Sequence, residues 1–264
     1  MDISTFFMPL AHLRPGTFNI ALDMRTRVTL YPWQTGRIKI SSRGFDTIER
    51  DRHETGTDNP MGLMFAIAGF FNAHGVHIDI QSASPPRSAL GGSSSAAVAI
   101  VSAFYHALGK GPDPAHAAWL AHYLESSVAG VPCGIQDQVA AAFGGVNFWE
   151  WGFGSTGPVY ARHPVFEAEA DVADLDRHVL VAYCGIPHVS KDVNGRWVKA
   201  FKSGAAFKAF EKIAGLTRSF TTAIENKDYA AAGELMNQET RIRCELTPDV
   251  LDPTGTILFD QARS

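Results

Sequence analysis

Pro85-Pro86-Arg87-Ser88-Ala89-Leu90-Gly91-Gly92-Ser93-Ser94-Ser95-Ala96-Ala97 lies between two apolar segments of different period. Before it, Val76-His77-Ile78-Asp79-Ile80-Gln81-Ser82 alternates, the pattern of a half-buried strand. After it, Val98 to Leu108 is apolar at helical spacing. Small residues therefore stand where a strand turns into a helix. The N–H groups of a helix's first turn have no intrahelical partner, and the helix dipole is positive there. Glycines let such a backbone approach a polyphosphate closely, and serine hydroxyls add hydrogen bonds or a metal ligand. The stretch points to nucleotide phosphate. A Gly/Ser linker has a similar composition, but a linker is not normally held between an apolar strand and a long apolar helix. Neither Gly-Lys-Ser/Thr nor Gly-x-Gly-x-x-Gly is present, so this is neither a Walker A loop nor a dinucleotide fingerprint.

Working outward, the chain has 264 residues and is 45% hydrophobic, enough for one large or two moderate domains. A net charge of −4 with no basic block argues against nucleic acid as a main partner. Cys133, Cys184 and Cys244 are far apart and lack zinc-site spacing. They fit a reduced, cytoplasmic setting. With no secretory leader pattern and no run of 18 apolar residues, no membrane association is expected.

Strands are expected over 19–23, 27–33 and 37–42, the last two as a hairpin through Gln34-Thr35-Gly36. Residues 46–59 read as a surface connection, and 60–74 as a helix with Pro60 at its start and Gly75 as its stop. Asp113-Pro114 opens another helix, with aspartate as cap and proline in the first turn. Gln136 to Phe143 is a short helix, and Val146 to Trp151 a strand whose Phe148, Trp149 and Trp151 read as core. Residues 152–176 are weakly patterned and form the expected domain boundary. A strand over 178–184 and long helices over 193–226 and 229–246 complete the chain, with Gly204 and Gly215 weakening the first of these helices.

Glu125-Ser126-Ser127-Val128-Ala129-Gly130-Val131-Pro132-Cys133-Gly134-Ile135-Gln136-Asp137-Gln138 is the second informative stretch. Glu125 falls near the end of one helix and Asp137 at the start of the next, where the dipole favours its charged form. Each taken alone is equally a structural acid: a first-turn residue, or a solvated one on an amphipathic helix.

Together the two stretches resemble the galactokinase, homoserine kinase, mevalonate kinase and phosphomevalonate kinase (GHMP) superfamily. Pro86 to Ala97 looks like its second motif, with Ala89 replacing the usual first glycine and Gly92 standing where serine is common. Val131 to Gln138 looks like a galactokinase signature. Gln136-Asp137-Gln138 followed by 140–148 is similar to the heptose-phosphate and fucose kinase branch. Against the family pattern both ends are short. Met1 to Phe7 resembles only the tail of the first motif, with Asp2 in a sugar-contacting position, and no Gly-x-Gly-Gly-Gly run follows Asp176. The chain is therefore expected to be part of a longer kinase. Little activity of its own is expected, together with an uncovered apolar face over 193–246.

The resemblance implies an α+β fold in two domains. Residues 1–165 would be an ATP-binding domain like one found in a ribosomal protein, with helices on one side of a mixed sheet. Residues 176–264 would be an incomplete, ferredoxin-like domain. The implied activity is ATP-dependent phosphorylation of a small sugar or sugar phosphate, at C1 by likeness to the nearest branch. Ser88, Ala89, Leu90, Gly91, Gly92, Ser93, Ser94 and Ser95 would wrap the phosphates, Ser93 and Glu125 would hold Mg²⁺, and Asp137 would be the base. Asp2, Gln136 and His188 would meet the substrate; His188 alone is equally an exposed loop histidine. The implied partners are ATP and the acceptor, with room for a homodimer. A non-catalytic nucleotide or sugar sensor is the alternative, and an RNA-binding module is disfavoured by the acidity.

Overall fold

The computed structural model describes residues 15–54, 56–86, 88–128, 133–154, 157–185 and 190–263. Asp2 and His188 lie outside these described residues. The backbone forms two compact units, Ala21–Gly144 in one and Met1–Ile20 with Gly145–Ser264 in the other. The stretch expected as the boundary, 152–176, lies within the second of these units.

Strand β1 (Gly16–Ile20) belongs to the second unit. In the first, β2 (Thr26–Pro32), β3 (Arg37–Ser42), β4 (Ile48–Asp51) and β5 (Val76–Ser82) form a sheet in the order β2-β5-β3-β4. The β3–β5 pair is parallel and the other two are antiparallel, so the sheet is mixed, as expected. Alternation sorts its faces. Ile38, Ile40, Ile78 and Ile80 are buried in one core with residues of α1 (Gly62–Phe70), α2 (Gly92–Ala107) and α3 (Pro114–Tyr123). Burying each such side chain contributes about 1.5–3 kcal/mol. Lys39, Ser41, His77 and Asp79 take the alternate positions, where Ser41 Oγ donates to Asp79 Oδ1 at 2.7 Å.

The expected hairpin between β2 and β3 does not form, because β5 lies between them. At Gln34-Thr35-Gly36 the chain opens for it: Trp33 N–H donates to Gly75 C=O, and Gly75 N–H to Arg37 C=O, both at 2.8 Å. Strand β4 occupies part of the stretch expected to be connection. It is a four-residue edge strand of mixed charge, a pattern that reads as loop. The helix after the Gly/Ser stretch starts at Gly92, earlier than its apolar periodicity indicates. Asp113 caps α3, its Oδ1 accepting from His116 N–H at 2.9 Å. A π-helical turn, Leu124–Val128, follows α3, and α4 spans Gln136–Phe143 as expected.

In the second unit, β6 (Val146–Gly154) pairs with β1 and with β7 (Gly157–Phe166), all antiparallel. Trp149 and Trp151 are buried there, as expected. Strand β7 and α5 (Glu169–Asp176) fill most of the stretch expected to be unpatterned. Pro164 disguised β7, since proline removes a ladder donor; β7 is an edge strand, where proline is tolerated. Conversely, 178–184 is irregular rather than a strand, and Leu180 is 91% exposed. Helices α6 (Ser190–Lys202), α7 (Phe207–Glu225), α8 (Tyr229–Leu246) and α9 (Pro253–Arg263) follow. Gly204, at φ 77°, separates α6 from α7. Among the described residues, the apolar side chains expected to be uncovered pack together instead: Trp197, Phe201, Phe210 and Ile213 are buried against one another, with Ile242 and Leu246 of α8 beside them. Among the described residues no helix is long and apolar enough to cross a membrane.

Candidate active site

Every described residue of the candidate site belongs to the first unit. The phosphate-loop residues Ser88 to Ser95 lead into and begin α2. Ser95 N–H donates to Gly91 C=O at 2.8 Å, so the N–H groups of Gly92, Ser93 and Ser94 precede the helical ladder. They form the electropositive start of a 16-residue helix. Gly91 makes this geometry possible. It is left-handed, at φ 66° and ψ 22°, and a Cβ there would lie 3.5 Å from Cγ of Asp137. That is ordinary contact distance, so glycine is called for here by the left-handed backbone, and the loop lies directly against the Asp137 carboxyl.

Ala89 is also left-handed, at φ 61°, where an L side chain is strained. This is the position at which the sequence departs from the family's glycine. Ala89→Gly is therefore expected to raise stability by about 0.5–1 kcal/mol, because relief of strain outweighs glycine's extra chain entropy. A urea titration checks this, and a destabilised variant would contradict the loop conformation.

Glu125 lies on the π-helical turn, a geometry frequent at functional sites. It is only 9% exposed. Its Oε2 accepts from Ser94 Oγ at 3.2 Å and from Gln138 Nε2 at 2.7 Å. Gln138 Nε2 also reaches Ser94 Oγ at 3.3 Å, which closes a buried triangle. Burial raises the Glu125 pKa, the Ser94 and Gln138 hydrogen bonds oppose that rise, and the charge of Asp137 adds to it. Asp137 is raised as well, by desolvation among crowded protein atoms. Its side chain still reaches solvent, which limits that rise.

The structure thus brings the loop, Glu125 and Asp137 together. Ser94 hydrogen-bonds Glu125, while Ser93, expected with Glu125 at a cation, is exposed at the helix start. Gln136 is half-buried at the first position of α4, next to Asp137. Gln138 is the residue that sequence reading missed. Its signal is that it follows Asp137 on a helix, so it turns inward with Ile135 and Val139 while Asp137 faces out.

Two further side chains border the triangle. Cys133 Sγ lies 3.8 Å from His122 Nδ1. Burial pushes the Cys133 thiol well above its usual range, with the Glu125 and Asp137 charges adding to the effect, so it remains an un-ionised thiol. Burial lowers the His122 pKa to about 4 despite a hydrogen bond with the Gly134 backbone. The unfolded chain therefore takes up a proton near pH 6.5 that the folded chain refuses until about pH 4. The His122 contribution is fully present above pH 6.5 and is lost as pH falls to 4, a loss on the order of 3 kcal/mol. Glu125 and Asp137, raised in the fold, act in the opposite sense. His122→Gln is thus expected to flatten the acid side of the stability curve relative to wild type, as read from urea midpoints between pH 7 and pH 4.5. Parallel curves would contradict the neutral, buried state of His122.

Residues 61–145, from just before α1 to just after α4, match the family model for the GHMP kinases N terminal domain. This segment is similar to the N-terminal domain of the GHMP kinases. The match contains the loop, Glu125, Asp137 and Gln138. The chain also shares its fold with solved GHMP kinases. One is a D-glycero-D-manno-heptose 1-phosphate kinase from Bacteriodes thetaiotaomicron, with TM-score 0.67 and 19% identity, over 89% of this chain and 72% of that one. Another is the Lactococcus lactis galactokinase complexed with galactose, with TM-score 0.61 and 15% identity, over 94% and 74%. A third is the L. major mevalonate kinase in complex with R-mevalonate, with TM-score 0.60 and 13% identity, over 88% and 70%. No curated protein sequence matches the chain.

The donor set of this site suits Mg²⁺ with a nucleotide. Mg²⁺ prefers hard oxygens and is usually held by one or two carboxylates together with substrate phosphates. Among the described residues no three His, Cys, Asp or Glu side chains cluster as a metal cage. Glu125, a loop hydroxyl and the helix start are what the protein offers.

Proposed function

We propose that this chain is an ATP-dependent kinase that phosphorylates a hydroxyl group of a small sugar or sugar phosphate, at C1, in the cytoplasm. The observation that carries the reading is the approach of Asp137 to Gly91, with 3.5 Å between the Asp137 Cγ and the place a Cβ would take. A base and a phosphate-binding helix start then share one reacting centre, as phosphoryl transfer requires. The GHMP kinase match over 61–145 and the shared fold support kinase chemistry.

On this reading the N–H groups of 91–94 bind the phosphates, Ser95 N–H being engaged by Gly91 C=O, and Ser88, Ala89 and Leu90 shape the approach. Ser93 and Glu125 hold the cation, while Ser94, engaged in the triangle, orients Glu125. Bound Mg-ATP would supply the γ-phosphoryl group and the positive charge that offsets it. Asp137 accepts the proton of the acceptor hydroxyl as that oxygen bonds to phosphorus and the leaving diphosphate takes the broken bond's electrons. Asp2, Gln136 and His188 are assigned to the acceptor. Residues 1–165 are assigned as the ATP-binding domain and 176–264 as the rest of the kinase.

The test is ADP release by the full-length protein, set beside this chain, with Mg-ATP and a panel of hexoses, heptose phosphates and mevalonate. ADP formed with a sugar or sugar phosphate, and not with mevalonate, is the expected result. No turnover with any acceptor, together with no Mg-nucleotide thermal shift, would overturn the proposal.

A further inference from the structure

Gln138 is 1% exposed, and its amide has two unequal ends. Nε2 donates to Glu125 Oε2 at 2.7 Å and to Ser94 Oγ at 3.3 Å. Among the described residues, Oε1 is buried with no hydrogen-bond partner. The amide cannot simply be turned over to cure this. In its cation-binding, ionised form Glu125 only accepts, so in that form the nitrogen faces Glu125. An acceptor kept dry and unpaired carries a desolvation penalty, and buried amides in folded proteins are almost always satisfied. A vacant acceptor beside a buried carboxylate therefore points to a donor that arrives with a ligand.

We infer that Gln138 is a positioning residue of this site. Its Nε2 holds Glu125 Oε2 and Ser94 Oγ in one arrangement, and its Oε1 takes a hydrogen bond from a water-sized donor brought in with the cation. The inference rests on the kinase reading for the identity of the ligand. The chemistry is consistent with that ligand, since Mg²⁺ keeps several of its waters when bound and so presents O–H donors around a carboxylate. Groups that orient a ligating carboxylate without touching the metal typically change metal affinity by about 10–100-fold when removed. Gln138 does not reach the reacting atoms on this account. It acts through Glu125.

The test separates cation binding from nucleotide binding. Gln138→Met preserves length and apolar bulk while removing both polar ends. Gln138→Asn remains a small amide but is shorter by one methylene and cannot span to Glu125. The Kd of a non-hydrolysable ATP analogue is measured by calorimetry in EDTA and across a Mg²⁺ titration. Both variants are expected to raise the Mg²⁺ half-saturation by about 10-fold or more, with the metal-free nucleotide Kd within about twofold of wild type. Ser94→Ala, which leaves the Gln138–Glu125 bond intact, is expected to move the Mg²⁺ half-saturation less. An unchanged Mg²⁺ half-saturation in the Gln138 variants would overturn the inference. So would equal losses with and without metal, which mark a packing role, or a larger effect from Ser94→Ala. Wild type with no Mg²⁺-dependent nucleotide binding would instead refute the kinase reading itself, and the inference with it.

Discussion

Asp137→Asn in the full-length protein is expected to lower turnover by about 10²–10⁴-fold while leaving nucleotide affinity within about twofold, the range that loss of a positioned general base produces. Asparagine keeps the shape and the hydrogen-bonding reach of aspartate but cannot take a proton from the acceptor hydroxyl. Its carboxamide would still lie against the loop, since the Gly91 contact is with Asp137 Cβ and Cγ, both 3.5 Å from where a Cβ would sit. The loop should therefore still form and still bind phosphate. Desolvation raises the pKa of wild-type Asp137 from the ordinary carboxylate value, and its exposure to solvent limits that rise. Removing one negative charge also lowers the repulsion felt by an incoming triphosphate, so any change in nucleotide affinity should be a small gain. Steady-state turnover and analogue binding on the same preparation check the split. Unchanged turnover would make Asp137 a first-turn acid of α4 and nothing more. A parallel loss of nucleotide binding would place it in the phosphate site instead.

The legible parts of the molecule are those where local pattern and tertiary environment agree. Strand β5 and helix α4 fall where alternation and breakers put them, and the Asp113-Pro114 cap forms as its chemistry dictates. What escaped was non-local. That β5 would separate β2 from β3 depends on pairing between segments more than 30 residues apart, which a short turn such as Gln34-Thr35-Gly36 does not encode. Strand β7 was hidden by Pro164, whose cost depends on whether the strand is at an edge. At the site, the loop and both acids were visible from residue type and order. The partner of Glu125 was not, because Ser93, Ser94 and Ser95 are chemically identical in sequence. Only the phase of α2 decides which hydroxyl turns inward to the π-helical turn, and it is Ser94. Gln138 escaped for the same reason: its role comes from burial, not from its chemistry.

Glu125→Gln is expected to separate stability from function in the opposite way to most buried substitutions. In the wild type a carboxylate is held in a site only 9% exposed, and burial raises its pKa against the help of two hydrogen bonds. Ionising a group there has an unfavourable desolvation cost that a neutral amide avoids. Glutamine has the same shape, and its oxygen can accept from Ser94 Oγ and Gln138 Nε2 as Oε2 of Glu125 does. The unliganded variant should therefore be as stable as wild type or more so. The cation site should be lost, because an amide oxygen lacks the charge that offsets Mg²⁺ desolvation. Turnover should fall by about 10²–10³-fold, the scale on which removing one electrostatic stabiliser of a transition state acts. Wild type saturated to 100 times its Kd with Mg-nucleotide gains about 2.7 kcal/mol of apparent stability. In the variant most of the Mg²⁺-dependent part of that gain should vanish. Urea denaturation without ligand, set beside thermal shifts with and without Mg²⁺, reads both sides. A variant that is destabilised yet keeps its Mg²⁺ response would show that Glu125 is there for the fold. It would also move the cation to the loop hydroxyls and phosphates alone.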